Sequence, residues 1–250
     1  MSESPAKAPP AALQPPHPAT GGELALYRVC RLLAVGASRL AFPGRVLGRE
    51  HLPESGAYIL APVHRSYLDW LLVARVANRR LRYIVKAEVW KSKVVGRLLE
   101  ALGAFPVNRS GADREALERS LAVLVGGEPL VMFPEGTRRS GPTVAELREG
   151  VAYLALRAGV PVVPVGIGGS EKAMPRGSAL PRPRRVDLVI GEPVHPPPAG
   201  EGAGGAGRRV PVSRRAMREL SEEVRERIQA CFEEAEQVRD TTTMGGRTKR

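Results

Sequence analysis

Short apolar runs alternate with segments of helical pattern through most of this 250-residue chain. Apolar runs of roughly four to eight residues between turn residues indicate buried strands, and longer periodic segments indicate helices. Parallel strands are covered on both faces and need crossover helices, so this alternation predicts an α/β fold with a mostly parallel sheet flanked by helices. The predicted strands are 57–63, 82–85, 104–107, 130–133, 160–167 and 186–190, and the predicted helices are 67–77, 91–102, 113–125 and 146–158.

The segments around this core differ from it in composition. Residues 1–22 are rich in Pro without any periodicity, which predicts a disordered tail. Residues 23–44 have the pattern of a basic amphipathic helix, which either lies in a membrane interface or packs on the core with its arginines in water. The other predicted units are one domain over 45–195, a Gly/Pro-rich linker or loop over 196–211, a charged helix over 212–239 and a disordered tail over 240–250.

The net charge of +12 favours anionic partners, although a GC-biased genome would also enrich surface arginine. No apolar stretch of about 18 residues is long enough to span a bilayer, and the first 20 residues lack the pattern of a signal peptide. We therefore expect a protein that is soluble or lies on a membrane. Cys30 and Cys231 are far apart without metal-ligand spacing, so neither a disulfide framework nor a zinc site is expected, which favours a reducing cytosol.

The first predicted strand leads into His-Arg-Ser-Tyr-Leu-Asp at 64–69. A histidine can take a proton near neutral pH, and an aspartate on its far ring nitrogen sets the tautomer and stabilises the imidazolium. Positions five apart lie on different faces of a helix with about 3.6 residues per turn. The pair can therefore form only if His64 lies in the turn before a helix and Asp69 in its first turn, with Ser66 as the N-cap.

A second polar segment, Glu-Gly-Thr-Arg at 135–138, follows the predicted strand 130–133. Gly136 lets the backbone approach a ligand closely, and the planar guanidinium of Arg138 suits a phosphate. Glu135 can accept a hydrogen bond from a substrate hydroxyl or hold an arginine in place. An ordinary turn with a surface arginine is the alternative.

Cations also follow two further strands: Lys86 after 82–85 and Arg109 after 104–107. A single cation at a strand end is usually a solvated cap. Open α/β sheets place their sites at the carboxyl ends of strands, so several such cations with His64 can converge on one anion-binding pocket.

Taken in order, these motifs resemble the glycerophospholipid acyltransferase family, the PlsC-like 1-acyl-sn-glycerol-3-phosphate acyltransferases. The resemblance covers about residues 45–195 and rests on motifs at 64–69, 103–109, 133–138 and 160–165. Two positions depart from the family pattern: Val63 stands where asparagine often precedes the histidine, and Arg139 separates Arg138 from Ser140.

The resemblance implies that His64 is the general base, supported by Asp69, and that the acyl donor is acyl-CoA or acyl-ACP. It implies no metal and no bound cofactor. It also implies acceptor-binding roles for Arg138, Arg109, Glu135, Gly136 and Thr137, and a less certain one for Lys86.

The resulting prediction is a monotopic enzyme on the cytoplasmic face of an anionic membrane, which converts a lysophospholipid, 1-acyl-sn-glycerol 3-phosphate, to phosphatidic acid. Other acceptors remain open: glycerol 3-phosphate, another lysophospholipid or a lipoamino acid. From a different class, a basic membrane-tethering or nucleic-acid-binding protein with a degenerate site is the alternative. Nucleic acid is disfavoured because the cations are not interleaved with aromatics. Acyl-chain length and oligomeric state are not indicated.

Overall fold

A computed structural model describes residues 21–86, 96, 99–100, 102–107, 113–178, 180–198 and 212–247. The strands in these residues are β1 (Val46–Leu47), β2 (Ile59–Pro62), β3 (Arg82–Lys86), β4 (Ala104–Val107), β5 (Leu130–Val131), β6 (Val162–Gly168) and β7 (Asp187–Ile190). The helices are α1 (Gly21–Ala41), α2 (Asp69–Val73), α3 (Asp113–Val125), α4 (Gly150–Ala158), α5 (Ser170–Ala173) and α6 (Arg214–Arg247), with a 3-10 turn at Arg49–His51.

The strands form one sheet in the order β1-β7-β6-β2-β5-β3-β4. From β6 to β4 neighbouring strands are parallel, which confirms the predicted mostly parallel α/β fold. β7 pairs antiparallel with β6, and β1 pairs parallel with β7, so these two strands run in the opposite direction. We call the edge at which β6, β2, β5, β3 and β4 end, and at which β1 and β7 begin, the carboxyl edge.

β2 lies inside the sheet between β6 and β5, and Ile59, Leu60 and Ala61 are fully buried. Such a position explains the continuous apolar run before His64, because a strand covered on both faces has no polar side. All six predicted strands are present, with bounds that differ from the prediction by two residues at most. β1 was not predicted.

The C-terminal helix α6 packs directly on β6 and β7. Its buried side chains Leu220, Val224, Ile228 and Phe232 recur every fourth residue and so form one apolar stripe. On the strand side, a side-chain carbon added at Gly166 would collide with the backbone of Cys231. The absence of a side chain at this position lets the helix and the strand backbone come into contact.

The ends of the chain differ from the prediction. α1 covers Gly21–Ala41 instead of 23–44, so residues 21–22 belong to the helix and not to the predicted tail 1–22, whose first 20 residues lie outside the described part. In the described part, no helix is both long enough and apolar enough to cross a membrane.

α6 covers Arg214–Arg247, so its predicted end at 239 and the predicted tail over 240–247 are wrong. Local bonds continue the helix there: Arg239 pairs with Asp240 and Glu236, and the Thr241 hydroxyl donates to the carbonyls of Gln237 and Val238. Of the predicted linker 196–211, residues 196–198 have no regular structure and the others lie outside the described part. Most of the predicted helix 91–102 also lies outside the described part.

Two helices are shorter than predicted because backbone amides at their ends have partners outside the i→i−4 pattern. α2 ends at Val73, and the amides of Arg75 and Val76 donate to the carbonyls three residues before them, each over 3.0 Å. α4 begins at Gly150 instead of 146, and the Arg148 amide before it donates to the distant Pro134 carbonyl over 2.9 Å. The predicted glycine at the C-terminus of α4 is present, since Gly159 has a left-handed φ of 65°.

Candidate active site

His64 and Asp69 form a hydrogen-bonded pair at the carboxyl edge. His64 follows β2, Asp69 is the first residue of α2, and His64 Nδ1 lies 2.9 Å from Asp69 Oδ2. The pair thus straddles a helix start, in the geometry that the five-residue spacing required. The His64 side chain is 21% exposed, whereas that of Asp69 is completely buried.

The Asp69 carboxylate fixes both the loop and the histidine tautomer. Its Oδ2 also accepts the backbone N–H groups of Arg65 and Ser66, each over 2.7 Å. An ionised carboxylate only accepts hydrogen bonds, so Nδ1 of the neutral imidazole carries the proton and Nε2 has the free lone pair. A partly exposed histidine with a free Nε2 can accept a proton from a ligand.

Phe133 supports the imidazole on another side. The two rings are stacked with centroids 4.1 Å apart and an angle of 30° between their planes. Phe133 follows β5, which pairs with β2, so parallel pairing brings the segment 133–138 against His64.

Glu135 forms a buried ion pair next to the backbone of His64. Its two carboxylate oxygens lie 2.9 and 2.8 Å from Nη1 of Arg65, and both side chains are fully buried. The carboxylate also accepts the His64 amide over 2.9 Å and the Ala145 amide over 3.1 Å. Of the two predicted alternatives for Glu135, the structure therefore has the one in which it holds an arginine.

Arg65 extends this network to the next loop and to α6. Its guanidinium donates to the carbonyls of Gly141 and Thr143, over 3.1 and 3.0 Å, and lies 5.0 Å above the centre of the Phe232 ring. The C-terminal helix thus contributes to the support of the loops around His64.

Gly136 makes the turn that brings Arg138 to the site. Its φ of 68° is left-handed, its amide donates to the Phe133 carbonyl over 3.1 Å, and a side chain here would collide with Arg148. The Arg139 amide then donates to the His64 carbonyl over 2.9 Å, which ties the turn to the histidine. Thr137, between them, is exposed.

The guanidinium of Arg138 lies over the ring of Tyr67, with its Cζ 3.1 Å from the ring centre. In the described part of the chain, no carboxylate lies within ion-pair distance of Arg138, in contrast to Arg65. The positive charge of Arg138 is therefore available to an anionic ligand next to His64.

The other two predicted cations are less well defined. Lys86 is the last residue of β3 and pairs through its backbone with Val107, at the same carboxyl edge as His64, but its side chain lies outside the described part. Arg109 as a whole lies outside it.

Ser66 does not cap α2, so that prediction is wrong. The N-cap position is Leu68, without a side-chain cap, because the chain before the helix wraps around the Asp69 carboxylate. The Ser66 hydroxyl instead donates to the Met174 carbonyl over 3.0 Å and accepts the Leu68 amide. It ties the loop to the segment after α5.

Three residues of the site were missed from the sequence: Arg65, Tyr67 and Phe232. In the sequence Arg65 looks like any surface arginine. The one signal was the prediction that Glu135 could hold an arginine, which left its partner to be identified. Nothing local identifies Tyr67 or Phe232, because each contacts an arginine far away in sequence.

In the described residues, no three His, Cys, Asp or Glu side chains are placed to hold a metal ion.

Several known acyltransferases are similar to this chain. A 1-acyl-sn-glycerol-3-phosphate acyltransferase of Bacillus subtilis is 28% identical over 152 residues, which make up 60% of this chain and 73% of that protein. A chloroplastic 1-acyl-sn-glycerol-3-phosphate acyltransferase of Arabidopsis thaliana is also 28% identical over 152 residues, but the match covers only 42% of its length.

The crystal structure of the 1-acyl-sn-glycerophosphate (LPA) acyltransferase PlsC from Thermotoga maritima matches with a TM-score of 0.67 and 26% identity, over 83% of this chain and 80% of that one. The sequence profile of the Acyltransferase family matches residues 44–168, which is half of the chain and includes both His64 and Arg138. The chain therefore belongs to the acyltransferase family.

Proposed function

We propose that this protein transfers a fatty acyl group from acyl-CoA or acyl-ACP to the free hydroxyl of 1-acyl-sn-glycerol 3-phosphate, which gives phosphatidic acid. The observation that carries the proposal is the juxtaposition of His64, fixed by Asp69, with Arg138, whose charge no described carboxylate neutralises. Such a site suits an acceptor that has both a hydroxyl and a phosphate. The names of the similar proteins support the same acceptor.

In the proposed reaction, Nε2 of His64 takes the proton of the acceptor hydroxyl, and the hydroxyl oxygen attacks the thioester carbonyl. The resulting tetrahedral intermediate expels the thiolate of the donor, which takes the proton from the imidazolium. Asp69 stabilises the imidazolium between these two steps. The thioester is already an activated donor, so the step needs no nucleophile of the enzyme, and we propose that it uses no bound metal or cofactor.

Arg138 is proposed to hold the acceptor phosphate through the N–H edge of its guanidinium, since planar forks bind phosphate oxygens in pairs. Lys86 and Arg109 are proposed as further cations for the same phosphate. Glu135 and Gly136 are proposed to shape the acceptor site indirectly, Glu135 through Arg65 and the His64 amide, and Gly136 through the turn before Thr137 and Arg138.

We also propose that α1 rests on the cytoplasmic surface of an anionic membrane. Tyr27 and Val35 face the protein, whereas Leu26, Val29, Leu33 and Leu40 lie on the other side and are more than half exposed. Their spacing of three, four and seven residues forms one apolar stripe. Exposed apolar stripes on a protein with net charge +12 suit an anionic lipid surface, and lipid is where an amphiphilic acceptor resides.

The test is an acyl-transfer assay with purified protein. Labelled acyl-CoA and acyl-ACP are each offered with 1-acyl-sn-glycerol 3-phosphate, other lysophospholipids, glycerol 3-phosphate and a lipoamino acid, and the products are identified by mass spectrometry. We expect phosphatidic acid as the main product. A preference for another acceptor would replace the proposed substrate but keep the reaction.

Two variants test the assignment of the base. His64→Ala removes the proton acceptor and should reduce kcat by at least about a hundredfold, as general bases contribute ~10² to 10⁴. His51→Ala is the matched control, because His51 Nδ1 is hydrogen-bonded to the Ile190 carbonyl over 2.8 Å, outside the site. A fully active His64→Ala variant would refute the mechanism and favour a binding protein.

A further inference from the structure

The aromatic ring of Tyr67 has no part in the proposed chemistry, yet it lies against Arg138, which is proposed to hold the acceptor phosphate. The Arg138 Cζ is only 3.1 Å from the centre of this ring. Atoms in contact are about 3.5 Å apart, and the Arg138 Cζ is already this close to the ring. A guanidinium N–H group that pointed at the ring would therefore overlap with the ring carbons. The guanidinium must therefore lie flat, with its N–H groups directed outwards in a plane parallel to the ring.

The loop that carries Tyr67 is itself held firmly. The residues before it, Arg65 and Ser66, donate their amides to Asp69, and the Ser66 hydroxyl is bound to the Met174 carbonyl. His64 lies three residues before Tyr67 and Asp69 two residues after it. One short loop thus supplies the proton acceptor, its carboxylate and the surface on which Arg138 lies.

The side chain of Arg138 has no other fixed support among the described residues. Its backbone is held through the Arg139 amide on the His64 carbonyl, but no described carboxylate orients the guanidinium. Stacking on an aromatic face is a known way to fix an arginine plane, and it leaves all N–H groups free for an anion.

We propose that Tyr67 is a positioning residue: its ring sets the plane of Arg138, so that the acceptor phosphate binds at a fixed distance from His64 Nε2. This inference rests on the proposed function and names a residue that selects the phosphate-bearing acceptor. Loss of the ring should weaken acceptor binding about 3- to 30-fold, the range for a cation on an aromatic face. It should not affect the acyl donor.

The experiment compares Tyr67→Phe, Tyr67→Leu and Arg138→Lys in the full chain, with KM and kcat measured separately for acyl-CoA and for 1-acyl-sn-glycerol 3-phosphate. Tyr67→Phe keeps the ring and should match the wild type. Tyr67→Leu should raise the KM for the acceptor about 3- to 30-fold and leave the KM for the donor unchanged. Arg138→Lys keeps the charge without the plane and should behave like Tyr67→Leu.

Trp70→Leu is the matched control, because Trp70 is also a half-exposed aromatic residue of this region but has no described contact with Arg138. It should leave both KM values unchanged. In an Arg138→Ala background, Tyr67→Leu should have no further effect on the KM for the acceptor. This result would show that Tyr67 acts through Arg138, because a general loss of structure in Tyr67→Leu would weaken acceptor binding in the Arg138→Ala background as well.

Several results would overturn the inference. One is an equal rise of both KM values in Tyr67→Leu, and another is a full effect of Tyr67→Leu in the absence of Arg138. A Tyr67→Phe variant as impaired as Tyr67→Leu would make the hydroxyl, not the ring, the important group. Wild-type turnover with an unchanged Tyr67→Leu variant refutes the inference alone, whereas a wild type without any turnover refutes the proposed function as well.

Discussion

Neutralising Glu135 should destabilise the fold strongly, because the carboxylate serves four hydrogen bonds in a buried position. It accepts two from Arg65 and one each from the amides of His64 and Ala145. In Glu135→Gln, whichever oxygen is replaced by NH₂ points a donor at two donors. The Arg65 guanidinium also keeps its charge without a counter-charge. Breaking a buried pair in this way costs about 3–5 kcal/mol.

For a chain of this size, such a loss corresponds to a fall in Tm of about 6–20 °C, at roughly 2–4 °C per kcal/mol. Thermal and urea unfolding followed by circular dichroism measure it. Glu219→Gln is the matched control, because Glu219 pairs with Arg215 over 2.7 Å on the exposed face of α6. Exposed pairs contribute little, so this variant should unfold at the wild-type temperature.

A double variant tests the cause. Arg65→Met removes the charge that Glu135→Gln leaves unpaired, so the two substitutions together should cost clearly less than the sum of their separate costs. A Glu135→Gln variant as stable as Glu219→Gln would refute the reasoning. Strict additivity of the two substitutions would refute it as well.

Two further outcomes are expected. Burial raises the pKa of the Cys231 thiol from 9.0 to about 11, whereas Cys30 is only partly buried. Iodoacetamide at pH 8 should therefore modify Cys30 in the native protein and Cys231 only after denaturation. Mass spectrometry of the treated protein measures this. Since the native pKa is the higher one, the stability linked to this thiol is complete below pH 9 and lost between pH 9 and 11. Gly166→Ala should lower stability by about 1–3 kcal/mol in urea titrations, because the added methyl group meets the backbone of α6. Gly36→Ala on α1, where the same atom meets nothing, should stabilise the protein or leave it unchanged.

The parts of the fold that depend on local pattern could be predicted from the sequence. Continuous apolar runs identified the buried strands, and the helical repeat required His64 to precede a helix that contains Asp69. The start of α4 could not be predicted, because the Arg148 amide before it donates to the Pro134 carbonyl, a partner that the local pattern does not indicate. The direction of β7 could not be predicted either, because it is set by antiparallel pairing with β6 and not by the local sequence pattern.

The site shows the same division. The residue types that suit proton transfer and phosphate binding stand out in the sequence, whereas their supports do not. The counter-charge of Arg65 lies 70 residues later in the chain, and the aromatic ring against Arg138 lies 71 residues earlier. Arginine and tyrosine occur on most protein surfaces, so only the fold reveals which of them are used.

The reversed direction of β7 and β1 has a consequence for how the proposed acceptor would reach the imidazole. Because β7 begins where β6 ends, Val186 donates to the Pro43 carbonyl over 2.9 Å, and Arg45 donates to Asp187 over 2.8 Å. The last turn of α1, where Leu40 is 90% exposed, therefore ends at the same rim of the sheet as the His64 loop. With β1 and β7 parallel to the other strands, the helix would end at the opposite rim, and an amphiphile on its outer face would be one strand length away from the proton acceptor.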